Sequence, residues 1–76
     1  MKSINVSLIS NTDVKDFVNI VAKYDFDIDL VSGRYVVDAK SIMGIFSLDL
    51  TKPICVQFHT DEADGIMEEL KPFTVE

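Results

Sequence analysis

Few of these 76 residues carry side chains that do chemistry, and they are scattered. Ser41 stands between Lys40 and the apolar run Ile42-Met43-Gly44-Ile45-Phe46, so its hydroxyl opens a short segment. There it can cap a helix by accepting a backbone N–H bond, or receive a phosphoryl group on the same oxygen. His59 is the only histidine and the one imidazole available to accept a proton or a phosphoryl group. It falls near the end of an alternating apolar run, on the side predicted to face solvent, where the plainer reading is a surface histidine without a role. Cys55 is the only cysteine; it can make no intramolecular disulfide and cannot alone form a zinc site. Asp61-Glu62-Ala63-Asp64 reads as the acidic start of a helix, not as a metal site, for want of converging ligands. No Gly-rich phosphate loop and no paired Cys/His spacing is present, so the residues point to no catalytic group, no cofactor and no metal.

Hydrophobic period defines the elements that position these groups. Ile4, Val6 and Leu8 alternate with polar residues as in a half-buried strand. Val14, Phe17, Val18, Val21 and Ala22 then follow helical spacing, with Ser10-Asn11-Thr12-Asp13 supplying a cap and an acid ahead of them. Phe26, Ile28 and Leu30 predict a second strand and Tyr35, Val37 and Ala39 a third, joined by a Ser32-Gly33-Arg34 turn. A brief helix is expected over 41–47. Ile54, Val56 and Phe58 predict a fourth strand with Cys55, Gln57 and His59 on its other face, and Ile66, Met67 and Leu70 a last helix ended by Pro72. The expected fold is α+β, a two-layer open-faced sandwich in which a four-stranded antiparallel sheet carries three helices on one face, in the order βαββαβα, as a single domain over 1–76.

Composition narrows the function classes. Seven basic against thirteen acidic residues give a net charge of -6, the wrong sign for affinity to nucleic-acid phosphates, so no direct nucleic-acid partner is expected. The opening Met1-Lys2-Ser3-Ile4-Asn5 alternates instead of beginning a long apolar run, which predicts neither a signal peptide nor membrane insertion and favours a cytoplasmic protein.

Lys23-Tyr24-Asp25, Lys40-Ser41-Ile42-Met43-Gly44 and Ser47-Leu48 lie, without a gap, at the spacings of the HPr family of bacterial phosphotransferase proteins, whose element order is also the one above. The chain therefore resembles that family, with a shorter loop between His59 and Ala63. The resemblance implies no enzyme activity of its own. It implies that Ser41 corresponds to the serine phosphorylated by an ATP-dependent HPr serine kinase. It further implies that Lys40, Ile42, Met43 and Phe46 belong to the surface on which such proteins dock enzyme I, that kinase and transcriptional regulators.

The resemblance fails where the family's carrier chemistry resides. A carrier needs a Gly-x-His-x-Arg-Pro sequence at the start of the first helix. In the ungapped register, Ser10 occupies the histidine position, Thr12 the arginine position and Asp13 the proline position. A serine phosphate is a stable ester and cannot relay as phosphohistidine does; Thr12 brings no guanidinium, and Asp13 and Asp16 repel phosphate. Ser10 reads better as an N-cap, with Asp13 three residues on in a capping-box-like arrangement. The chain is thus expected to be a non-carrier regulatory module resembling the catabolite-repression HPr-like proteins. The alternative is a phosphocarrier in the sugar phosphotransferase system with a non-standard acceptor, for which His59 is the one candidate. Some relatives exchange a strand to dimerise, but nothing in these residues demands it.

Overall fold

The computed structural model describes residues 2–75, so the ends of the expected 1–76 domain, Met1 and Glu76, lie outside the described residues. The chain runs β1 (Lys2–Val6), α1 (Asn11–Val21), β2 (Ile28–Ser32), β3 (Tyr35–Asp38), α2 (Ile42–Phe46), β4 (Ile54–Phe58), α3 (Asp64–Glu69), a 3-10 turn (Lys71–Phe73) and β5 (Thr74–Val75). All strand pairs are antiparallel, in the spatial order β3-β2-β4-β1-β5.

Period-2 alternation decides which face of the sheet is covered. Leu30 pairs with Val56, Ile28 with Phe58 and Val6 with Ile54, so these apolar side chains share one face and are all buried. Val14, Phe17 and Val21 of α1, Ile45 of α2 and Ile66 of α3 join them in one core cluster, which sets the helices on that face. Asn5, Asp29, Cys55 and Gln57 lie on the other face, which no element among the described residues covers. This is the expected open-faced sandwich.

The sheet has five strands, not four. Beyond Glu69 the chain makes a 3-10 turn that contains Pro72, Ser7 donates its N–H to the Phe73 carbonyl at 2.8 Å, and Thr74 and Val75 then pair with Val6 and Asn5 of β1. Two residues are too few to show a period, so sequence patterning missed β5. Other boundaries also shift. Leu8 is buried but lies past the end of β1, and Phe26 packs on the core ahead of β2. The acidic run does not open α3 as a whole. The helix begins at Asp64 after an Ala63 cap that has no side-chain bond, while the Glu62 N–H is held by the Thr60 hydroxyl at 3.2 Å.

Gly33 sits at φ +60° at the first position of the two-residue β2–β3 turn, where the twist of a hairpin calls for a positive φ. A methyl group there would meet nothing within 4 Å, so only backbone strain opposes it. Gly33→Ala is expected to cost about 1–2 kcal/mol, seen as a lower urea midpoint at unchanged slope.

Candidate functional site

Ser41 has the extended backbone of a helix cap (φ -100°, ψ 103°) and its Oγ accepts the Gly44 N–H at 3.3 Å. A Cβ at residue 44 would lie 3.3 Å from Ser41 Oγ and 3.4 Å from the Val37 Cβ, so glycine lets the first turn of α2 press against both its cap and β3. Ile45 is buried and Ile42 packs partly on the core, which anchors α2 from beneath. Met43 and Phe46 point outward, 77% and 40% exposed. Two of the three apolar residues expected beside Ser41 are therefore surface, and the third is only half available.

Lys40 lies next to Ser41 in sequence, but its ammonium turns away. Nζ donates to the Tyr24 carbonyl at 2.6 Å and the Phe26 carbonyl at 3.2 Å, closing the segment that leaves α1. Its own N–H is held by Asp38 Oδ1 at 2.9 Å, and the Asp38 carbonyl accepts the Ser41 N–H at 3.0 Å. Along this turn it is thus the Asp38 carboxylate and carbonyl, not the Lys40 ammonium, that hold the backbone leading into Ser41.

At the start of α1, Ser10 is extended (φ -132°, ψ 162°), and its Oγ accepts the Asp13 N–H at 3.1 Å. Asp13 reaches back to the N–H of Ile9 at 3.2 Å, one residue earlier than in the standard capping box. Thr12 is exposed, with no cation in its place. Removing the cap with Ser10→Ala is expected to cost about 1 kcal/mol, read from thermal or urea unfolding.

His59 follows β4, far along the chain from this helix. Its backbone N–H donates to the Asp27 carbonyl at 2.9 Å, and its ring Nε2 lies 2.7 Å from Asp29 Oδ2. The imidazole is exposed and has a carboxylate for its neighbour. Among the described residues no group of three or more His, Cys, Asp and Glu side chains is placed to hold a metal ion.

The Lys23-Tyr24 pair proves structural. Lys23 Nζ and Tyr24 Oη both donate to the Glu69 carboxylate, tying the end of α1 to α3. The two donors hold the Glu69 carboxyl below its ordinary pKa, and the bond to Glu69 raises that of Tyr24. Sequence spacing matched these residues without showing what they do, because their partner lies 46 and 45 residues away.

The family model for the PTS HPr component phosphorylation site matches residues 13–74. It takes in Ser41, Met43 and Phe46 and begins after Ser10. Among solved structures, HPr-C-His from Thermoanaerobacter tengcongensis superposes with a TM-score of 0.79 at 23% identity, covering 95% of this chain and 89% of that one. The phosphocarrier protein HPr from Bacillus anthracis str. Ames gives 0.72 at 27% identity, covering 97% and 94%. Comparison with curated proteins gave no significant match. No helix among the described residues is long and apolar enough to cross a membrane. The family match spans most of the chain and the HPr structures share its fold, so the chain belongs to the HPr family of phosphotransferase-system phosphocarriers, which are not enzymes.

Proposed function

We propose that this HPr-family chain is a cytoplasmic regulatory module that docks protein partners through Ile42, Met43 and Phe46, with Ser41 beside them as a phosphorylation switch, and that it is not a carrier. The observation that carries this reading is the exposure of Met43 and Phe46 on the same short helix that Ser41 caps. A five-residue helix held by one buried isoleucine has no need of two further large apolar residues on its outer side, and exposed apolar groups of this kind favour contact with another protein. At the other candidate site, Ser10 is occupied as a cap and no imidazole stands at the start of α1.

A phosphate on Ser41 would be tolerated, because the free N–H groups and positive dipole end of α2 favour negative charge there. It would not be neutralised from within. The Lys40 ammonium is spent on the Tyr24 and Phe26 carbonyls, so the added charge stays at the rim of the Met43–Phe46 surface for a partner's cations to read. Lys40 then contributes to docking by fixing the approach to Ser41 rather than by offering its charge.

The test is incubation with an HPr serine kinase and ATP, followed by intact-mass measurement. The expected result is the mass of one phosphate on the wild type and none on Ser41→Ala. A wild-type chain that gains no phosphate under conditions that modify a carrier HPr sinks the switch.

A further inference from the structure

Beyond that site, the free edge of the sheet at β3 is built for a partner. The far edge, β5, is only two residues long, but β3 offers four, with no proline and no lysine within it. Tyr35 and Val36 are 66% and 61% exposed there, a β-branched and an aromatic residue on an open strand. Edge strands that stay single are commonly blunted by proline or lysine, and β3 has neither, its one charge being Asp38 at its end.

Its hydrogen-bonding groups have a definite direction. Ser32 pairs with Tyr35 across the two-residue turn and Leu30 with Val37, while the Ala39 N–H donates to the Ile28 carbonyl. In an antiparallel ladder these alternate pairs point their backbone groups toward β2. Val36 and Asp38 therefore direct theirs outward, and Arg34, in the turn just ahead of Tyr35, stands at the end of this edge.

We infer that two copies of this chain pair edge to edge through β3, antiparallel about a two-fold axis at Val36. A two-fold axis makes each residue face its symmetry mate in a fixed register. Centred on Val36, the register sets Val36 against Val36 of the second copy, Tyr35 against Val37, and Arg34 against Asp38, twice over. Centring on Val37 instead would set Arg34 against Lys40, cation against cation.

The charge pattern singles out this occupant. Asp38 sits directly opposite Asp29 in the sheet, an unfavourable like-charge pair. Asp29 has the His59 ring beside it, whereas among the described residues the Asp38 carboxylate has only the Lys40 backbone N–H. Arg34 makes no ion pair among the described residues. A second copy brings an Arg34 guanidinium, at the end of a long side chain, to the Asp38 end of this edge, and so supplies Asp38 with the missing cation and Arg34 with the missing carboxylate. Four residues per edge make a small interface, and the net charge of -6 on each copy opposes it, so the dimer is weak and concentration-dependent.

Sedimentation equilibrium over a dilution series tests this at low salt. The wild type is expected to rise from the 8.5 kDa monomer toward twice that mass. Arg34→Asp and Asp38→Arg should each weaken pairing by about tenfold, since each sets like charges together twice. An equimolar mixture of those two variants should pair again, because Asp at 34 then meets Arg at 38, and Arg at 34 meets Asp at 38. Circular dichroism checks that each variant is folded. Val36→Glu, which leaves the Asp38 to Lys40 bond intact, should also be monomeric. A wild type that stays monomeric at every concentration, or single variants that pair as the wild type does, or a mixture that fails to pair, overturns the inference.

Discussion

Treated with enzyme I and phosphoenolpyruvate, the wild-type chain is expected to gain no acid-labile phosphate, whereas the Ser10→His/Thr12→Arg variant gains it. The expectation rests on what stands at the start of α1. The Ser10 oxygen is engaged by the Asp13 N–H, and Asp13 is held in place by the Ile9 N–H, so the first turn presents a neutral hydroxyl and a carboxylate to an incoming phosphoryl group. An ester formed on that hydroxyl would not pass onward. The double substitution puts an imidazole ahead of the free N–H groups of the first turn and a guanidinium two residues on, which together favour an anion. It also loses the serine cap, at about 1 kcal/mol, which a folded chain tolerates. His59 is no substitute, because Asp29 Oδ2 lies 2.7 Å from its Nε2 and adds negative charge where the phosphoryl donor must approach. Intact mass before and after mild acid reads the result. Acid-labile phosphate on the wild type that disappears in His59→Ala would favour the carrier alternative and sink the regulatory reading.

Most of the fold was legible because strands and helices differ in period. The β4 pattern Ile54, Val56, Phe58 and the α1 stripe Val14, Phe17, Val21 each bury one face, so alternation and helical spacing named the core directly. Ser10 and Ser41 were legible as caps because a cap bond spans only three residues. What was lost depends on long separation or on too few residues. β5 has two residues and forms because Pro72 and the 3-10 turn redirect the chain toward β1. The part of the Lys40 ammonium was not legible, because nothing in the local sequence shows that two carbonyls 16 and 14 residues earlier lie within its reach. The same holds for Glu69, whose two donors come from the end of α1. Period alone could not show the exposure of Met43, since it says little over five residues.

Phe17→Ala is expected to remove a large part of the stability of the chain, while Met43→Ala leaves it nearly unchanged. Phe17 is fully buried on α1 and meets Phe73 edge to face, with ring centroids 6.5 Å apart and planes at 84°. Its ring therefore joins the helix layer to the segment that delivers β5 to β1, since the Phe73 carbonyl also accepts the Ser7 N–H. Truncation of a buried phenylalanine costs about 3–5 kcal/mol from lost transfer and the cavity left behind. A chain of this length has roughly 4–11 kcal/mol in all, so the substitution takes a large part of it. Loss of the ring also frees Phe73, so pairing of β5 with β1 should loosen first, seen as faster amide exchange at Val75, whose residue lies opposite Asn5. Met43 has little surface to lose, and its truncation should stay within about 0.5 kcal/mol. A Met43→Ala chain as destabilised as Phe17→Ala would mean that Met43 is a core residue, and α2 would then no longer offer a docking surface beside Ser41.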